Sequence, residues 1–162
     1  MSLAHNVLIR GLNAIYQQAP FIPPSLVPDF VVFIRAWIEA IHNHHLAEET
    51  YFFPHIAKYT GQAEIMAINI QQHEPFDNGL EDLKCYADEV ATEPANYEGA
   101  RVRGIIDSFA PDLVGHLRDE IGTLLALEQF GVGELVEAFK ELEKHAADSI
   151  DMVCTVSIPC SQ

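Results

Sequence analysis

Residues 28–54 read PDFVVFIRAWIEAIHNHHLAEETYFFP, and the fold follows from where the apolar side chains fall in that stretch. Phe30, Phe33, Trp37, Ile41, His44, Glu48 and Phe52 recur at spacings of three and four, which places them on one face of a helix. His44 and Glu48 stand one turn apart on that face, with aromatic and aliphatic residues above and below. An imidazole and a carboxylate carried into an apolar interior need partners. His116 and Glu120 repeat the arrangement between Leu113 and Leu124. Two further histidines fall on apolar stripes, His5 with Leu8, Leu12 and Ile15, and His73 with Met66, Ile70, Phe76 and Leu80.

Working outward, helical periodicity dominates and strand-like alternation is nearly absent. The pattern predicts a first helix from Ser2 to about Gln18, with Ser2 as its N-cap. Ala19 to Pro28, holding Pro20, Pro23 and Pro24, reads as an extended linker. The second helix starts near Pro28-Asp29, is bent or ended by Pro54, and is closed by Gly61. A third spans about Gln62 to Ala91 with a kink at Pro75. A fourth spans about Tyr97 to Gln129 with a kink at Pro111. Gly131-Val132-Gly133 breaks the chain before a shorter helix, about Glu134 to Ser149, and an irregular tail. The expected fold is all-α: an up-down four-helix bundle over residues 1–130, with the short C-terminal helix and tail of 131–162 packed on the same domain.

The 162-residue chain carries a formal net charge of −15 with histidines neutral. Lys and Arg are too few and too scattered for a nucleic-acid partner or an anionic membrane surface. Pro28, Asp29 and Arg35 interrupt the most apolar stretch, so no bilayer span is expected. Met1 to His5 lacks a basic segment followed by an apolar one, and the reading is a soluble cytoplasmic protein. Three cysteines, Cys85, Cys154 and Cys160, make a poor disulfide framework and fit a reducing compartment.

His-x-x-x-Glu spacing alone is weak: chance gives about 0.7 such pairs here, and three occur, because His45 and Glu49 form one as well. Placement adds weight, since each long helix offers one histidine on the stripe that faces the core. Buried carboxylates without a cation would repel or take up protons, so the cluster reads as a metal site. Mixed imidazole and carboxylate donors favour iron over zinc, with manganese as an alternative.

The segment His44-His45-Leu46-Ala47-Glu48-Glu49-Thr50-Tyr51-Phe52-Phe53-Pro54 resembles the His-x-x-x-Glu-Glu…Phe-Pro signature of hemerythrin-like, cation-binding HHE domains. Ala4-His5-Asn6-Val7-Leu8, Gln72-His73-Glu74 and His116-Leu117-Arg118-Asp119-Glu120 are similar to the family's other motifs. The resemblance covers roughly residues 1–130. It implies a bundle around two iron ions held by His5, His44, Glu48, His73, His116 and Glu120, with Glu48 and Glu120 bridging. His44 is preferred to His45 because it continues the Trp37, Ile41 stripe and because Glu48 stands six residues before Pro54, as the family's first glutamate does. Loss of metal is therefore expected from His44→Ala and not from His45→Ala.

Two departures bear on function. Oxygen-carrying hemerythrins have a second histidine one turn after that of the third helix, where this chain has Asp77, and their last carboxylate is spaced differently from Glu120. Fewer imidazoles would leave an open position or bring in an anionic ligand, which works against reversible oxygen carriage. Asp77 has three readings, a ligand, a residue bridged through water, or a solvated surface residue, of which the last is preferred. The readings are a non-haem di-iron protein that reacts with dioxygen and oxidises a small organic substrate, or one that binds or senses dioxygen, nitric oxide or iron without turnover. A bundle with vestigial ligands, acting through protein contacts, is the third. Access to the interior is expected under the stiff linker from Pro20 to Pro28.

Overall fold

The computed structural model describes residues 1–131 together with 133, 136, 137, 139 and 140. The expected helix over about 134–149 lies outside the described residues except at those scattered positions, and the tail with Cys154 and Cys160 lies wholly outside them. The first helix, α1, runs Ser2–Gln18 as expected, although Met1 takes the N-cap position and no side chain caps it. The second, α2, runs Val27–Ala47 and passes into a single π-helical turn, Glu48–Phe52, before α3, Phe53–Thr60. Gly61 ends α3 in the left-handed conformation that glycine adopts without strain.

The expected third helix is broken. A short α4, Ala67–Gln71, is followed by α5, Glu74–Thr92, with Pro75 in the first turn of α5. Proline there forfeits no intrahelical hydrogen bond, because first-turn amides have no partner. So Pro75 starts a helix instead of kinking one. The last long helix, α6, is continuous over Gly99–Ala126 with Pro111 inside it and ends in a 3-10 turn, Leu127–Phe130. The linker is not fully extended either: 3-10 turns at Ala19–Phe21 and Pro24–Leu26 flank extended backbone at Ile22 and Pro23.

The long helices pack in a ring, α1 against α2, α2 against α5, α5 against α6, and α6 back against α1. His5 near the start of α1, Glu48 just past α2, His73 at the start of α5 and Glu120 near the end of α6 all meet at one level. Starts and ends therefore alternate around the ring, which is the up-down order. Among the described residues no helix is long and apolar enough to cross a membrane.

Two apolar clusters stabilise this arrangement. The larger fills the bundle with Ile15, Ile34, Ile41, Phe76, Leu83, Ile106 and Phe109 among others, and Trp37 donates its indole N–H to the Leu8 carbonyl at 2.9 Å. Gly79 lets α5 lie close on α6, since a Cβ there would stand 2.5 Å from that of Phe109. The smaller cluster, Phe52, Phe53, Ile56, Met66 and Leu127, caps the end where the histidines gather. At the opposite end the Tyr97 hydroxyl donates to the Ala19 carbonyl at 2.7 Å. The proline linker is therefore at the wrong end to guard the polar centre: fourteen helical residues separate Ala19 from His5, about 20 Å. That distance takes away the support for access beneath it.

Candidate metal centre

All six residues expected from the sequence converge between the two apolar clusters, and a seventh joins them. One group is His5, His44, Glu48 and Glu120; the other is His45, Glu48, His73 and His116. In each, one ligand atom per residue lies within 4.8 Å of all the others, and Glu48 belongs to both. A carboxylate shared by two donor sets is what a bridging ligand requires. Glu48 and Glu120 are fully buried, and His5, His45, His73 and His116 are nearly so.

The choice between His44 and His45 does not arise in the folded chain. The buried face of α2 is two residues wide, running through Ile34, Trp37, Ile38 and Ile41. His44 and His45 continue its two edges, at i,i+4 and i,i+3 from Glu48, so one histidine points into each group. The adjacent-histidine pair with a glutamate at both helical spacings was the available signal; reading one stripe instead of a two-wide face hid it. Asp77 is exposed and belongs to neither group, and His45 supplies the imidazole whose absence from α5 the sequence made conspicuous. His42 is exposed and His55 half-buried, both outside the centre. Phe33 is 40% exposed, so it is not a core residue, whereas Trp37, Phe30, Phe52 and Phe53 are buried as expected.

Outer partners fix the rings. His5 Nδ1–H donates to the Leu117 carbonyl at 2.8 Å, His73 Nδ1–H to Glu49 Oε1 at 2.5 Å, and His116 Nδ1–H to Gln72 Oε1 at 3.4 Å. Gln72 is itself held by Asp119, to which it donates at 3.0 Å. With each Nδ1 committed as a donor, each Nε2 presents its lone pair inward. The His73 and His116 Nε2 atoms then face each other at 3.2 Å, and His5 Nε2 stands 3.1 Å from Glu120 Oε2. Lone pairs aimed at one another and at carboxylates are unfavourable unless a cation or a proton lies between them. The buried His5, His44 and His45 Nε2 atoms and both oxygens of Glu48 and Glu120 have no hydrogen-bond partner. Seven inward polar atoms that face one another in an apolar setting fit a pair of metal ions.

Electrostatics gives the metal-free state. Burial disfavours the charged His5, but the carboxylates of Glu120 and Glu48 outweigh it and push its pKa up to about 9. Burial, reinforced by His73, holds His45 down at about 2 and His116 at about 4. Burial alone would raise Glu48; His44 and His5 overcome it and keep this carboxyl below its usual range. Glu120 is pushed up, chiefly by burial. His45 and His116 thus stand neutral and ready to ligate, whereas His5 holds a proton on the atom that would bind metal. Metal uptake at pH 7.5 should release about one proton per chain from His5, measured by calorimetry in buffers of different ionisation enthalpy. The sign is checkable in stability as well. A histidine raised from 6.5 to about 9 stabilises the metal-free fold fully below pH 6.5, and that contribution is lost as pH rises through 9. Metal affinity changes in the opposite direction, strengthening over the same interval.

A family model, the hemerythrin HHE cation-binding domain, matches residues 1–127. A protein of Cryptosporiopsis sp. (strain 8999), described as dimeric xanthone biosynthesis cluster protein R11, is 38% identical over 163 residues. The alignment covers 99% of this chain and 62% of the relative, so the chain spans under two thirds of that protein's length. No solved structure matches.

Proposed function

The chain belongs to the hemerythrin family of HHE cation-binding domains, and from that premise we propose that it holds two iron ions and uses them with dioxygen to oxidise a small organic molecule. The observation that carries this is the pair of donor groups sharing Glu48. His45, His73 and His116 would hold one ion, and His5, His44 and Glu120 the other, with Glu48 between them. Manganese suits the same donors. Bound iron supplies the redox chemistry with dioxygen. The protein's part is to orient the His5, His73 and His116 imidazoles through their outer partners and to exclude bulk water with the two apolar clusters. Two carboxylates against two divalent ions leave two positive charges uncompensated, which favours a further anionic oxygen donor at the centre. The organic-substrate part of the reading leans on the relative named for a biosynthesis cluster.

A second reading, a protein that binds or senses dioxygen or nitric oxide without turnover, gains from the same geometry. The sequence argument against reversible binding rested on too few imidazoles, and His45 brings the number to five. Neutral donors favour ferrous iron, as reversible binding requires. One experiment separates the two. The protein is loaded anaerobically with ferrous iron to two ions per chain and then exposed to air. Oxygen consumption that accelerates with a phenolic substrate supports turnover, whereas a visible band that bleaches on degassing supports reversible binding. Uptake of less than one iron per chain would sink both.

A further inference from the structure

At the end of the bundle that holds the polar centre, a groove opens beside Glu49. It lies between the π-helical turn with α3 on one side and α4 on the other, has a volume of about 340 Å³, and is walled by Phe53, Ala57, Met66, Ala67 and Ile70. That volume falls at the lower end of the range of roughly 300–1,000 Å³ usual for small-molecule sites. Glu49 is its link to the chemistry: the side chain is 43% exposed, yet its Oε1 accepts the His73 Nδ1–H at 2.5 Å. A larger cleft of about 660 Å³ runs between α2 and α5. It is the weaker candidate, because Arg35 pairs with Asp88 across it, and Lys84 pairs with Glu81 along its α5 wall. None of its lining side chains forms a hydrogen bond or ion pair with the seven residues of the centre.

We propose that the groove beside Glu49 binds a neutral, planar, hydroxylated aromatic molecule, with the hydroxyl donating to Glu49 and the ring lying against Ala57, Ala67 and Ile70, over the buried Phe53 and Met66. This deepens the turnover reading above by naming where its organic substrate sits. The chemistry of the walls sets the class. Ala57, Ala67 and the 42% exposed Ile70 form a shallow apolar wall with small side chains, which a flat ring covers better than a branched chain. Glu49 and Glu64 are acceptors, so a donating ligand is favoured and an anionic one is repelled, while the Gln71 amide can serve either role. A hydroxyl donates without bringing a charge that alanine and methionine walls would have to desolvate. A ligand on Glu49 competes for the oxygen that orients His73, so its presence is felt at one metal position.

The test uses protein loaded with zinc, which is redox-inert, and 2-naphthol, whose fluorescence reports binding. Saturable binding with a Kd on the order of 1 mM or tighter is expected, with 2-naphthoate binding at least about tenfold more weakly. Ala63→Trp at an exposed position, or Ala67→Trp at a half-buried one, should weaken 2-naphthol about tenfold or more, with helicity and zinc content unchanged. In cobalt-loaded protein 2-naphthol should shift the visible bands, and Glu49→Gln should abolish that shift while both metals stay bound. No saturable binding, equal binding of 2-naphthoate, or binding untouched by both tryptophans would overturn the assignment. Zinc uptake below one per chain with 2-naphthol still bound and still displaced by tryptophan would support the groove while defeating the metal centre.

Discussion

Glu48→Ala should empty both cation positions at once, taking metal content from about two ions per chain to well below one. Among the described residues no other side chain belongs to both donor groups, so no other single alanine substitution among them should do this. The stability consequence distinguishes lost ligation from lost folding. Each ion held at a thousandfold excess over its Kd contributes about 4 kcal/mol, so losing two costs roughly 8 kcal/mol relative to the loaded parent. Without metal the difference is smaller and has another origin. In the metal-free parent Glu48 faces His44 Nε2 at 3.0 Å and His5 Nε2 at 3.9 Å, which hold its carboxyl below the usual range, while it also crowds a second buried acid, Glu120. Losing the paired imidazoles costs stability and relieving the crowding returns part of it, so the variant should melt far below the loaded parent and stay within about 3–5 kcal/mol of the metal-free one. Thermal melts of the three forms, with metal analysis, decide it. A variant that keeps two ions, or that fails to fold where the metal-free parent folds, would show Glu48 to be structural.

His45→Ala should lose one ion and keep the other, leaving about one per chain with a single affinity phase. His45 serves only the group completed by His73 and His116, whereas His5, His44 and Glu120 serve the second. His5→Ala should give the mirror outcome, emptying the other position. His42→Ala, three residues away and exposed, should leave both ions in place. The expected fall in affinity at the affected position exceeds the 10–100-fold typical of losing an outer partner such as Glu49, because a direct donor goes. Retention of two tight ions by His45→Ala would restore the single-stripe reading of α2 and reduce His45 to packing against His73 and Phe76.

Much of this was legible in the sequence because helical period three-to-four is a strong signal over long segments. It located α1 to the residue and put His5, His44, Glu48, His73, His116 and Glu120 on inward stripes. What it missed has physical causes. A proline in the first turn and a proline in mid-helix look alike in a stripe, so Pro75 was read as a kink when it begins α5. A π-helical turn leaves no periodic trace, since it adds one residue to one turn and the pattern resumes beyond it. Glu49 and Gln72 act on His73 and His116 from other elements, and contacts across elements depend on packing that spacing does not encode. The linker's distance from the centre depended on helix length alone. Counting rise per residue from His5 to Ala19 would have placed it at the far end.

The two apolar clusters that sandwich the centre also divide the molecule energetically. The cap of Phe52, Phe53, Ile56, Met66 and Leu127 is much the smaller, and small units open at a fraction of the cost of global unfolding. Breathing of that cap would let ions load and leave without melting the bundle, so metal exchange can run on a faster clock than denaturation.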